Sequence, residues 1–158
     1  GVASAAFDQM NNAVPDQSGS VIVAKYQATP ALRIAAAYSD NKATTVSSGS
    51  VTSAKAQGYS AQYALGGKHF VTLNYAKRSN AVKDGVEQAG TDANMTTLAY
   101  HYDFSKRTAA GVMWTQLKNG TASATALFYQ GNNAYGGQGS VLNGETSNIT
   151  SVALRHNF

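Results

Sequence analysis

Residues 58–76 read GYSAQYALGGKHFVTLNYA, and the alternation within them decides the fold. Tyr59, Ala61, Tyr63 and Leu65 fall on one side of an extended chain, with Gly58, Ser60, Gln62 and Ala64 on the other. Beyond Gly66-Gly67, His69, Val71, Leu73 and Tyr75 alternate with Phe70, Thr72, Asn74 and Ala76. A period of two is the side-chain period of a β-strand, and a Gly-Gly pair suits the two-residue primed turn of a hairpin. The stretch therefore predicts two antiparallel strands with one apolar, aromatic face and one small, polar face. Serine, glutamine, threonine and asparagine do not line a dry core. They suit a wall that faces water while the other side faces lipid.

The same alternation recurs on both sides of this hairpin. Ser20 to Gln27 puts Ile22, Ala24 and Tyr26 on one face; Leu32, Ile34, Ala36 and Tyr38 stand against Arg33, Ala35 and Ala37. Leu98, Tyr100, Tyr102 and Phe104 stand against Thr97, Ala99, His101 and Asp103. Thr108 to Lys118 is weaker: Ala110, Val112 and Trp114 form its apolar side, which Gly111 and Gln116 dilute. Asn148 to Phe158 ends the sequence with Thr150, Val152, Leu154, His156 and Phe158 on one face, His156 standing where an aromatic is common. Seven strands follow, with a faint eighth within Val2 to Phe7.

Connections sort by length. Short turns fall at Ala28–Ala31, Gly66-Gly67 and Phe104–Arg107, and long polar connections at Asp40–Ala54, Ser79–Asp92 and Asn119–Glu145. Strict short–long alternation is the up-and-down outer-membrane pattern, with tight periplasmic turns and longer external loops. It places the C-terminus on the periplasmic side. Ten residues at about 3.3 Å each, tilted about 45°, cover roughly 23 Å of membrane.

Composition supports the same class. Of the 158 residues 43% are hydrophobic and only 13% charged, with 15 glycines, nine tyrosines and two prolines. A mean hydropathy of -0.26 shows that low charge has not been exchanged for a large apolar core. No stretch approaches the roughly 18 apolar residues of a transmembrane helix, and Arg33 interrupts the best candidate, Ala31–Tyr38. No charged-then-apolar leader opens the sequence, so a mature or truncated chain is expected. The lack of cysteine excludes disulfides and thiolate chemistry. The net charge of +4 is spread out, which argues against nucleic acid as a partner.

Two residue sets are candidates for function. Tyr26, Tyr38, Tyr59, Tyr75, Phe104 and Phe158 lie on the apolar face towards strand ends, where amphipathic rings suit membrane interfaces. Lys25, Arg33, Arg78, Asp103 and Arg155 fall on the polar face and are the expected pore-lining charges. Cations on a pore wall raise the local concentration of anions; the alternative is that they hydrogen-bond the wall and stiffen it. His69, His101 and His156 show no metal-ligand spacing, so neither metal nor cofactor is expected. Ser60 and His101 share the polar face, but nothing selects them as a nucleophile and base, and no enzyme activity is expected. Gly136-Gly137-Gln138-Gly139 lacks a strand–loop–helix frame and reads as an external loop.

Two stretches carry a family resemblance. Ser147-Asn148-Ile149-Thr150-Ser151-Val152-Ala153-Leu154-Arg155-His156-Asn157-Phe158 resembles the terminal strand of trimeric Gram-negative porins of the β-proteobacterial type. Leu98-Ala99-Tyr100-His101-Tyr102-Asp103-Phe104-Ser105-Lys106-Arg107-Thr108 is similar to a strand–turn–strand of that family. The resemblance is clearest from Met95 onwards. It implies an all-β, antiparallel up-and-down transmembrane β-barrel of 16 strands, of which residues 1–158 are the C-terminal portion, without the N-terminal strands and constriction loop. It also implies a homotrimer among outer-membrane lipid and lipopolysaccharide, passing small ions and hydrophilic solutes with a mild anion preference. A small eight-stranded barrel serving as adhesin or anchored enzyme, or a soluble β-sandwich binding module, are the rival readings.

Overall fold

The computed structural model describes residues 2–11, 14–45, 48–124 and 142–158. They form one antiparallel sheet, and no helix occurs among them. Its strands are β1 (Val2–Asn11), β2 (Val14–Gln27), β3 (Leu32–Thr44), β4 (Val51–Gly66), β5 (His69–Arg78), β6 (Ala81–Lys83), β7 (Val86–Gln88), β8 (Ala93–Asp103), β9 (Thr108–Asn119) and β10 (Thr146–His156). The path through the sheet is β1-β2-β3-β4-β5-β8-β9-β10, and the short pair β6-β7 branches off β4. Each long strand pairs with its neighbour in sequence, as an up-and-down topology requires.

The two faces differ as the alternation requires. Ile22, Tyr26, Ile34, Tyr59, Tyr63, Leu73, Leu98, Val152 and Leu154 are all exposed on one face. On the other, Val23, Ala37, Ser60, Asn74 and Thr97 are half-buried or buried. Among the described residues only Ala93, Ala109 and Leu117 are buried apolar ones. Among the described residues there is no second sheet and no dry core of the kind a β-sandwich has between its sheets. An apolar surface this continuous is suited to lipid and not to water.

The faint eighth strand is present, giving eight long strands among the described residues: β1 extends over Val2–Asn11, and β2 begins at Val14. Two of the sequence expectations need correction. The expected long connection Asp40–Ala54 is mostly strand: β3 and β4 pair from Leu32↔Tyr63 to Thr44↔Val51. Alternation fades there because the outward residues Asp40, Lys42 and Lys55 are polar, yet the ladder continues. Sixteen residues of β4 span roughly 50 Å along the strand, far more than an apolar band of about 25 Å needs. Finally, the turn between β4 and β5 is Gly67-Lys68, one residue later than expected, with Gly66 opposite His69 after a bulge.

The short turns are built by local side chains. Thr29 Oγ1 accepts from Leu32 N at 3.0 Å, and Ser105 Oγ accepts from Arg107 N at 3.1 Å and Thr108 N at 3.0 Å. Hydroxyls at these positions replace the backbone partners that a reversing chain loses. At the opposite end, the expected loop Ser79–Asp92 contains the hairpin β6-β7, turning at Asp84-Gly85 with φ of 50° and 82°. Two left-handed residues in an Asp-Gly pair are the signature of a type I′ turn.

Asp84 fastens this hairpin to the sheet. Its carboxylate accepts from Val51 N and from Ser50 Oγ, both at 2.7 Å. The Val51 amide, then the Ser50 hydroxyl, hold the carboxyl below the ordinary aspartate value. A lowered folded pKa stabilises the attachment above the ordinary value of about 3.9, and that stabilisation is lost as pH falls through the folded value. Protection of the Val51 amide against hydrogen exchange, corrected for intrinsic pH dependence, should therefore collapse below about pH 4. Asp84→Asn, which tolerates the left-handed backbone, should remove that pH dependence.

Candidate functional site

Strand register assembles the polar face into rungs running across the sheet. Lys25, Ala35, Ser60, Asn74, Thr97, Thr115 and Ile149 make one rung from β2 to β10. A second, nearer the short turns, runs Gln27, Arg33, Gln62, Thr72, Ala99, Met113 and Ser151. Two of these pairs are hydrogen-bonded: Thr97 Oγ1 to Thr115 Oγ1 at 3.0 Å, and Gln62 Nε2 to Thr72 Oγ1 at 3.3 Å. Among the described residues no buried side-chain polar atom lacks a partner. The wall is thus polar, weakly charged and satisfied.

The five expected pore-lining residues all lie on this face, but in two different settings. Lys25, Arg33 and Arg155 are exposed near the short-turn ends of β2, β3 and β10. Asp103 ends β8 in the same zone, opposite Ala109, which is in turn opposite Arg155. Asp103 Oδ1 lies 2.8 Å from His101 Nε2, a contact that the i, i+2 spacing on one strand face could have revealed. Arg78 sits at the other end and is part-buried. Its Nη2 donates to Thr91 O at 2.8 Å and Ser123 Oγ at 3.0 Å, tying the loop before β8 to the segment after β9. That guanidinium is engaged in structure, and it does not join the other cations.

Ser60 and His101 share the face but lie on β4 and β8 with β5 between them, and the bond His101 makes is to Asp103. No cluster of metal-ligating side chains occurs among the described residues. Gly136 to Gly139 lie outside the described residues. Gly111 does not weaken the apolar face as expected: it is on the polar face, between His101 and Ala153. Gln116 is on the apolar side, at the long-loop end, where it donates to Asn148 Oδ1 at 3.0 Å.

The six aromatics expected at membrane interfaces lie on the apolar face at two levels. Tyr26, Phe104 and Phe158 lie at the short-turn end, joined by Tyr63, Tyr100 and Tyr102. Tyr102 packs edge-on to Phe104 at 4.7 Å and lies tilted against His69 at 4.6 Å, and His156 meets Phe158 edge-on at 4.8 Å. The departure at His156 is absorbed at this rim, where its Nδ1 is 2.8 Å from Thr108 Oγ1. Tyr38, Tyr59, Tyr75 and Trp114 form the upper level, Tyr59 directly opposite Tyr75. These are mid-strand positions because β3 and β4 run on past them.

Arg78 and a glycine contact together hold the long-loop end closed. A Cβ at Gly120 would collide with Gly90 O and Asp92 Oδ1, so the two connections touch backbone to backbone. Arg78→Gln should cost about 1 kcal/mol locally, raising limited proteolysis within residues 79–92 about fivefold. Gly120→Ala should act in the same direction. Heat unfolding of the sheet itself should be unchanged by either, as read by circular dichroism in detergent.

Residues 2–122 match the model of a family described as Gram-negative porin. Among solved structures, the anion-selective porin from Comamonas acidovorans is similar, with a TM-score of 0.78 at 24% sequence identity over 99% of this chain and 44% of that one. The chain therefore spans less than half the length of that porin, and at this identity the likeness is one of fold. No match was found among curated proteins. The family match takes in the strand–turn–strand at 98–108 and reaches back to β1, well before Met95, where the sequence resemblance is looser. The chain belongs to the Gram-negative porin family.

Proposed function

We propose that this chain forms part of the wall of an outer-membrane channel for passive diffusion of ions and small hydrophilic solutes, with a mild preference for anions. The observation that carries this reading is the division of one sheet into an exposed apolar face and a polar face bearing Lys25, Arg33 and Arg155. Lipid on one side and water on the other is the environment in which both faces are satisfied. The similarity to a porin whose name records anion selectivity points the same way.

The mechanism is electrostatic. An ion in the lumen feels wall charge over about a Debye length, roughly 8 Å at physiological salt, so fixed cations raise local anion concentration where the passage is narrow. Lys25, Arg33 and Arg155 all lie in the half of the sheet near the short turns. We assign that half to the periplasmic side, with the C-terminus there, because tight turns face the periplasm in such barrels.

The outer strands β1 and β10 each have one edge without a partner among the described residues, an arrangement that lipid cannot satisfy. Closure therefore needs further strands. We assign the apolar face to outer-membrane lipid and lipopolysaccharide and, in part, to contacts within a homotrimer.

Arg33 offers the cleanest test, since its side chain has no hydrogen-bond or ion-pair partner among the described residues. In the channel purified from outer membranes, Arg33→Glu should move the zero-current potential under a KCl gradient towards cations. Assembly stability should change by less than about 0.5 kcal/mol, as for a surface substitution, against about 2–4 kcal/mol for a cation placed at a lipid-facing midplane position. An unmoved potential with a dissociated assembly would refute the lumen assignment.

A further inference from the structure

At the short-turn end of the polar face, β9 presents two small residues where its neighbours present charges. Ala109 lies between Asp103 of β8 and Arg155 of β10, and Gly111 between His101 and Ala153. Strands spaced about 4.8 Å apart put the backbones of β8 and β10 about 10 Å apart across that dip. The hollow measures about 320 Å³ and is lined by Gly67, Lys68, Asp103, Ser105, Lys106 and Arg155. Three cations there face one carboxylate.

The cations are held by the turns that carry them. Asp103 N donates to Lys68 O at 2.9 Å, which fastens the β4–β5 turn beside the end of β8. Ser105 N donates to Thr108 O at 3.1 Å, closing the turn that carries Lys106, and Asn157 N donates to Arg107 O at 2.9 Å, fixing the end of β10 against it. Lys68, Lys106 and Arg155 thus project from three separate but mutually hydrogen-bonded segments.

We propose that this hollow is a binding site for small oxyanions, of the phosphate or carboxylate class, at the short-turn mouth of the channel. The proposal rests on the channel reading above. Arg155 supplies a planar donor fork suited to paired oxygens, and the two lysines supply ammonium groups from the turns. Asp103 tempers the site. His101 Nε2 engages one of its oxygens, yet its charge still opposes an anion and keeps residence short. A site on a conducting path has to bind well enough to collect ions and weakly enough to release them. Ala109, the residue of β9 between Asp103 and Arg155, is small, and a larger side chain there would stand between those two charges.

The test is block of chloride current by inorganic phosphate, measured on the purified channel in phosphatidylcholine bilayers, with the zero-current potential under a KCl gradient read from the same membranes. Phosphate should reduce the chloride current, and the double variant Arg155→Gln/Lys106→Gln should raise the half-blocking concentration about tenfold. Asp103→Asn should lower it, while Lys77→Gln, on the apolar face at the long-loop end, should leave it unchanged. Block that is the same in the double variant as in the unmodified channel overturns the site. A wild-type zero-current potential on the cation side instead overturns the anion-preferring reading, so the two failures are separable.

Discussion

Hydrogen bonding of the backbone in a medium without water is the constraint on which everything else here depends. An amide or carbonyl left bare in hydrocarbon costs several kcal/mol, so a spanning sheet must pair along its whole length. Neighbour-to-neighbour pairing from β1 to β10 achieves this with the shortest connections, and β8 follows β5 directly because β6 and β7 step aside onto β4. Once the ladder is fixed, so is the destination of each side chain. Register across β2 to β5 puts Ile34, Ala61 and Leu73 on one side, and Arg33, Gln62 and Thr72 on the other.

The two ends of the sheet use their charges differently. At the long-loop end two of them are engaged within the structure: Asp84 fastens the β6-β7 hairpin and Arg78 bridges two connections. Asn80 Nδ2 also donates to Glu87 Oε1 at 2.6 Å. Long connections would otherwise carry many unpaired backbone groups, and these side chains satisfy some of them. At the short-turn end the reversals need only one hydroxyl each, from Thr29 and Ser105. Arg33, Arg155, Lys68 and Lys106 are not needed to hold those turns.

Most of the sheet was legible in the sequence because the contrast between lipid and water is written every second residue, as in Leu98-Ala99-Tyr100-His101. The signal disappears where both faces are wet. Thr44 and Val51 are paired, but Asp40, Lys42 and Lys55 carry no hydropathy contrast, so the ladder beyond Tyr38 reads as loop. The hairpin β6-β7 was readable from Asp84-Gly85, a turn signal flanked by Val82 and Val86, but strands of three residues are too short for periodicity to show. Alternation puts Arg78 on the same face of the sheet as Asn74. Its engagement with Thr91 and Ser123 could not be read, because it depends on how two connections fold over the sheet.

Which face a charge is on leaves open whether a solute can reach it, and here the neighbouring strand decides. Arg155 and Asp103 are separated by Ala109, which is almost wholly buried and occupies little of the space between them. One rung along, a Cβ on Gly111 would come within 3.1 Å of Tyr100 O, so the narrow backbone approach favours glycine there. A large residue at position 109 would bring side-chain atoms between Asp103 and Arg155. Residue size along one strand thus affects how the charges of its neighbouring strands are presented, a coupling that alternation by itself does not carry.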